Sequence, residues 1–170
     1  RDSYEQAWDK NYRDLIPANQ YNIDYSILGT ARVEPLLRRI RREMEGAGLY
    51  VESAKGECNL GQHEIAFRYA EALQTCDNHV IYKEGAKEIA AQEGMALTFM
   101  AKFDQREGNS CHIHISVRGD GTKYGDGEAV MADGDDHSAL SPLGSRWVAG
   151  QLAHMRVLAL YSAPNINSYK

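Results

Sequence analysis

Cysteine is scarce in this sequence, and its pattern excludes several common kinds of site. The 170 residues contain three cysteines, at positions 58, 76 and 111, and none forms the C-x-x-C spacing of structural zinc sites or redox disulfides. An odd number of cysteines without such a pattern is typical of a reducing compartment. We therefore predict a cytoplasmic protein.

Long apolar runs and a basic excess are also absent. No stretch approaches the roughly 20 apolar residues that cross a bilayer, so we expect no membrane partner. The formal net charge is −5, whereas nucleic acids and anionic membranes attract basic surfaces, so we expect no nucleic-acid partner. The 43% hydrophobic and 25% charged residues are ordinary for a folded domain with a sizeable core.

Hydrophobic periodicity predicts a mixed α+β fold. Apolar positions at helical spacing indicate helices, and alternating or β-rich segments indicate strands. Hairpin-like neighbours among the strands favour an antiparallel sheet with helices over one face. We predict helices over 3–14, 34–45, 70–92 and 143–161, strands over 21–28, 49–54, 64–69, 95–100 and 111–117, and a surface loop over 119–136.

Two acids flank the tight turn between the strands predicted at 49–54 and 64–69. If these strands pair, the carboxylates of Glu57 and Glu64 converge on one point. Carboxylate oxygens suit Mg²⁺ or Mn²⁺, and Mg²⁺ is commonly bound by a few carboxylates together with the oxygens of a substrate phosphate. The spacing alone fits two solvated acids on a hairpin at least as well.

A second candidate cluster lies on the predicted strand before the surface loop. His112 and His114 share one strand face about 7 Å apart, and Ser116 continues that face, where its hydroxyl can reach a phosphate. Packed, hydrogen-bonded histidines remain a common explanation for the pair, and a serine without any ligand is the better explanation for Ser116. A zinc hydrolase is a further alternative, although His137 and His154 fall in a predicted loop and helix rather than at strand ends.

Five short motifs occur in order along residues 21–170. They are GE at 56–57 with GQHEI at 61–65, IYK at 81–83 with KEIA at 87–90, LTFMAK at 97–102, NSCHIHIS at 109–116 and NINSYK at 165–170. Together they resemble the catalytic domain of the glutamine synthetase family. This resemblance favours a metal and phosphate site over the alternatives for the same residues.

The resemblance implies roles at two or more metal ions. Glu57 and Glu64 would bind one Mg²⁺ or Mn²⁺ ion beside glutamate, and His112 would bind a second ion that orients the nucleotide phosphates. Glu57 at the reaction centre and Tyr25, which resembles the tyrosine of the ammonium pocket, would be the catalytic residues.

The resemblance also implies substrate contacts. Residues of the predicted 49–54 and 64–69 strands and of the predicted 111–117 strand would bind ATP. Residues of the loop just before the 111–117 strand would bind glutamate. Tyr69, which the sequence alone would place in the core, would then lie beside adenine. The ATP-binding residues would be Glu52 at the ribose, Tyr69, and His114 and Ser116 along the triphosphate, and the glutamate-binding residues would be Glu107 and Gly108.

The activity implied is that of an ATP-dependent ligase. The γ-phosphoryl group of ATP would pass to the glutamate side chain, and an amine would then attack the acyl phosphate. Residues 55–62 resemble the branch that glutamylates polyamines or small monoamines, and residues 24–30 depart from the usual bacterial glutamine synthetase pattern. A classical glutamine synthetase using ammonia and a non-catalytic ring protein of the same family are the alternatives.

The resemblance further implies that residues 1–170 are the central part of the catalytic domain. The N-terminal β-grasp domain and the C-terminal part of the catalytic domain would lie outside them. Family active sites form between subunits of a homo-oligomeric ring, commonly a dodecamer. We therefore expect this segment alone to be inactive.

Overall fold

The computed structural model describes residues 1–136 and 139–169. His137, considered for a zinc site, and Lys170, the end of the last motif, lie outside the described residues. The chain divides into two compact units, Arg1–Asn109 and Ser110–Lys170, and each is described by itself. The first contains α1 (Tyr4–Asp9), α2 (Ile27–Ala31), α3 (Glu34–Gly46), β1 (Val51–Gly56), β2 (His63–Phe67) and α4 (Ala72–Gln92), and the second contains α5 (Pro142–Ser162) and a 3₁₀ turn (Ile166–Tyr169).

The core of the first unit lies between α3, α4 and the β1–β2 hairpin. In α3, Leu36, Ile40 and Met44 recur every four residues, so they form one buried face. This face packs against Ile89 and its neighbours in α4, and the strands contribute partly buried apolar side chains to the same cluster. The predicted α+β class is therefore confirmed, with an antiparallel sheet of two strands.

Two predicted strands are not formed among the described residues. Residues 95–100 and 111–117 have no strand assignment, because no neighbouring strand in the described chain pairs with them. The first of these segments is fixed by packing instead. The ring of Phe99 meets that of Tyr82 edge-on at 5.5 Å, and Tyr82 meets Phe67 of β2 at 4.8 Å.

The first thirty residues also differ from prediction. The strand expected at 21–28 is wrong, because the Ser26 side chain accepts a hydrogen bond from the Gly29 N–H and begins helix α2. The helix expected at 3–14 ends at Asp9. Asn11 and Tyr12 have positive φ angles of 51° and 56°, which do not continue a right-handed helix.

In the second unit, the helix predicted at 143–161 is formed. Ser141 caps α5 by accepting a hydrogen bond from the Gly144 N–H at 3.0 Å, and Pro142 occupies the first turn. The predicted loop at 119–136 contains only isolated bridges among its described residues. No helix in the described part of the chain is long and apolar enough to cross a membrane.

Candidate metal and substrate site

The β1–β2 hairpin brings the two predicted acidic ligands to one end of the sheet. The strands pair antiparallel, with Lys55 opposite Glu64. The Glu57 N–H closes the turn by donating to the Gln62 carbonyl oxygen at 3.0 Å. Glu57 and Glu64 therefore flank the same turn, and the strand pairing assumed in the sequence analysis is confirmed.

One ammonium group lies among three carboxylates at this end of the hairpin. The Lys55 Nζ is 3.0 Å from Asp24 Oδ1 and 3.1 Å from Glu64 Oε2, and it donates a hydrogen bond to Glu57. Glu57 and Glu64 thus converge on one point, the Lys55 ammonium group, and their spacing around the turn predicted this convergence. Asp24 and Lys55 are additional members that sequence reasoning missed, because Asp24 lies far away in the chain and has no local motif.

The electrostatics of this cluster favour ionised acids. Burial acts to raise the pKa of Glu57, but hydrogen bonds from Lys55 and the Cys58 N–H outweigh it and lower the pKa. The hydrogen bond from Lys55 also lowers the pKa of Asp24. In return the carboxylates raise the pKa of Lys55 against the opposing effect of burial. One positive charge therefore faces three carboxylates, which leaves the cluster attractive to a further cation.

The donor atoms suit a hard divalent cation. Carboxylate oxygens of Glu57 and Glu64 are the ligands that Mg²⁺ and Mn²⁺ prefer. Ligand atoms of Asp24, Glu57 and Cys58 also lie within 4.8 Å of one another. The Cys58 thiol donates a hydrogen bond to Asp24 Oδ2 at 3.5 Å, and this bond raises the pKa of the thiol. Glu57 and Glu64 would hold the ion here.

A buried isoleucine places Asp24 and Tyr25 beside the hairpin. Ile23 is fully buried and packs against Gly56, whose N–H donates to Thr30 Oγ1 at 2.9 Å. Tyr25 follows with φ of 54°, and its ring lies 4.6 Å from Lys55 Nζ while 80% of the residue remains exposed. The predicted catalytic tyrosine is therefore at the acidic cluster.

Replacing Gly56 with alanine is expected to disturb this placement. A Cβ at position 56 would lie 2.5 Å from Ile23 Cδ1 and 2.7 Å from the Ile23 carbonyl oxygen. We expect the free energy of unfolding to fall by about 2 kcal/mol, as in other overpacked sites. Chemical denaturation measures the loss. Gly46→Ala is the matched control, because a Cβ there meets nothing within 4 Å, and equal stability of both variants would contradict the prediction.

Two predicted nucleotide contacts lie on the same hairpin. Glu52 is exposed at a β-bulge between Val51 and Ser53, where the register shifts. Tyr69 follows β2 and is 86% exposed, with the Arg68 guanidinium 5.9 Å from its ring. Tyr69 is therefore not a core residue, and its face is available to a ligand.

The predicted glutamate residues lie in an exposed loop before Asn109. Glu107 and Gly108 are both exposed. A side chain at Gly108 would place its Cβ 2.5 Å from the Ala101 carbonyl oxygen, so the loop conformation requires glycine. The β1–β2 turn contacts this loop through Gln62, whose Nε2 donates to the Gly108 carbonyl oxygen at 2.9 Å.

The predicted histidine cluster belongs to the second unit. His112, His114 and Ser116 are exposed, and Ser110 Oγ lies 3.3 Å from His112 Nε2. Ile113, between the two histidines, is 75% exposed. The structure thus groups Glu57 with Glu64 in one unit and places the histidines in the other. His154, considered for zinc, lies in helix α5 as predicted.

Comparisons with known proteins all match this chain to the same family. The family model for the glutamine synthetase catalytic domain matches residues 2–170. The γ-glutamylethanolamide synthetase GlnA4 of Streptomyces coelicolor is 65% identical over 170 residues, which are the whole chain and 35% of that protein. The glutamate–isopropylamine ligase of a Pseudomonas species is 35% identical over 160 residues, 94% of the chain and 34% of that protein.

A solved structure supports the same assignment. Apo GmaS without ligand superposes with a TM-score of 0.80 and 29% identity, over 91% of this chain and 36% of that one. The chain therefore spans about a third of the length of the relatives that it matches. Because the family model covers nearly every residue, this chain belongs to the glutamine synthetase family, as part of its catalytic domain.

Proposed function

We propose that the complete protein is an ATP-dependent ligase that joins the γ-carboxylate of glutamate to a primary amine. The observation that supports this proposal most directly is that Glu57 and Glu64 both contact the Lys55 ammonium group, in a chain of the glutamine synthetase family. ATP, glutamate and the amine would yield ADP, phosphate and a γ-glutamylamide. The relatives named for ethanolamide and isopropylamine chemistry support an amine acceptor.

Each cluster has a proposed task in this reaction. A Mg²⁺ or Mn²⁺ ion bound by Glu57 and Glu64 would neutralise phosphate charge, and His112 would contribute to a second metal site. Glu57 and Tyr25 would face the amine. The remaining contacts are proposed to be Glu52, Tyr69, His114 and Ser116 for ATP, and Glu107 and Gly108 for glutamate.

The chain's own residues favour a positively charged acceptor. A primary amine approaches as an ammonium ion, and Asp24, Glu57 and the exposed Tyr25 ring already surround the ammonium of Lys55. Carboxylates and an aromatic face are the groups that bind such a cation. We propose a small monoamine of the ethanolamine type as substrate, and residues 1–170 as the central part of a catalytic domain in a homo-oligomeric ring.

An amine panel tests this proposal. We expect phosphate release by the complete protein to require ATP, glutamate, Mg²⁺ or Mn²⁺, and a primary amine such as ethanolamine, methylamine or putrescine. Activity with ammonium alone would instead favour a classical glutamine synthetase. Failure to bind either Mn²⁺ or ATP in calorimetry would favour a non-catalytic member of the family and contradict the ligase proposal.

A further inference from the structure

The β1–β2 turn holds a distant loop through a buried amide. Asn59 is fully buried, and its Nδ2 donates to the Glu107 carbonyl oxygen at 2.6 Å and to Asp104 Oδ1 at 3.1 Å. Its Oδ1 accepts a hydrogen bond from the Leu60 N–H at 2.7 Å. Both the donor and the acceptor end of this amide therefore have fixed partners.

A second amide in the same turn extends this contact. Gln62 Nε2 donates to the Gly108 carbonyl oxygen at 2.9 Å and to Asn109 Oδ1 at 2.7 Å. Gln62 Oε1 accepts a hydrogen bond from the backbone N–H of Asn59 at 3.1 Å, so the Gln62 side chain is itself fixed by the turn. Together the two amides hold the consecutive carbonyl groups of Glu107 and Gly108.

The loop gains little order from apolar burial. Residues 103–108 are all exposed. Beyond the turn, the Asn109 N–H donates to the Ala101 carbonyl oxygen at 2.8 Å, and Asn109 Nδ2 donates to the Met100 carbonyl oxygen at 2.7 Å. These bonds fix the backbone and side chain of Asn109 at the end of the loop, whereas Asn59 and Gln62 hold the two carbonyl groups just before it.

We propose that Asn59 and Gln62 are positioning residues that hold the glutamate-binding loop in register with the metal ligands. This inference rests on the proposed function, which assigns Glu107 and Gly108 to glutamate. The turn that carries both amides begins at Glu57 and ends just before Glu64. A displacement of the loop is therefore resisted by the same short segment that sets the two carboxylates.

Conservative variants in the complete protein test the proposal. Asn59→Asp removes the Nδ2 donor and directs a carboxylate at Asp104 and the Glu107 carbonyl group, and Gln62→Glu removes the donor to Gly108. We expect each to raise the KM for glutamate about tenfold, since small displacements of a positioning group have effects of this order. The KM for ATP and Mn²⁺ binding should change less than about twofold.

Two further measurements separate positioning from general damage. Hydrogen exchange of the 103–109 amides should be faster in both variants and should not change in Gln105→Ala, an exposed control in the same loop. Adding Asp104→Asn to Asn59→Asp restores a donor and acceptor between these two positions. We therefore expect this double variant to recover part of the glutamate affinity.

The outcomes distinguish this inference from the proposed function. An active wild-type protein whose glutamate KM is unchanged by both variants overturns the inference alone. Equal losses for glutamate and ATP, together with a lower melting temperature, indicate a general structural role and also overturn it. A wild-type protein that releases no phosphate in the presence of glutamate overturns the proposed function, and the glutamate role of the loop with it.

Discussion

Glu64→Ala in the complete protein is expected to reduce turnover roughly a thousandfold or more, the scale reached when a group that stabilises phosphoryl-transfer charge is lost. Glu64 lies on β2 opposite Lys55, and its Oε2 is one of the carboxylate oxygens that contact the Lys55 ammonium group. Without it, a divalent ion would lose an anionic ligand that no neighbouring side chain on β2 replaces. Phosphate release and Mn²⁺ calorimetry measure the two consequences.

Two companion variants define what Glu64 contributes. Glu64→Gln keeps the side-chain length and an oxygen that accepts a hydrogen bond from Lys55, but removes the charge. We expect it to lose Mn²⁺ affinity nearly as strongly as the alanine variant, because Mg²⁺ and Mn²⁺ prefer anionic oxygen ligands. Glu43→Ala, an exposed acid on α3, should leave turnover unchanged. Retained turnover in Glu64→Ala would refute the metal assignment.

The acidic pair could be predicted from sequence because its signal is local. Glu57 and Glu64 flank one turn, and a hairpin brings such positions together whatever the rest of the chain does. The helices α3 and α4 were predictable for the same reason, since their apolar spacing is a property of each segment alone. The third acid, Asp24, could not be found this way, because its approach depends on Ile23 packing beneath Gly56.

Strand prediction failed where pairing depends on distant residues. Residues 111–117 alternate as a strand does, yet no strand in the described chain pairs with them. The β-propensity of a segment does not ensure that another strand is present to pair with it. At residues 21–28 the β-rich composition was overridden by one capping side chain, Ser26, which makes a helix of the residues that follow. Side-chain alternation and composition were thus weaker guides than capping chemistry.

Lys55→Met is expected to destabilise the complete protein by about 1–2 kcal/mol in metal-free buffer, because it removes the one positive charge that offsets the repulsion among three neighbouring carboxylates. The Lys55 side chain is 23% exposed and contacts Asp24, Glu57 and Glu64. Methionine keeps the length of the chain but donates no hydrogen bond. Chemical denaturation measures the loss, and Lys123→Met on an exposed loop should cause almost none.

Divalent metal should reverse most of this loss. Mn²⁺ can supply the positive charge that Lys55→Met removes, and it stabilises the folded protein according to its concentration relative to Kd. The variant should also bind Mn²⁺ more tightly than the wild-type protein, since no ammonium competes for the carboxylate oxygens. Adding Asp24→Asn should relieve part of the repulsion, so the double variant should be less destabilised than the sum of the single changes. If Mn²⁺ raises the stability of Lys55→Met no more than that of the wild-type protein, Glu57 and Glu64 do not hold the ion.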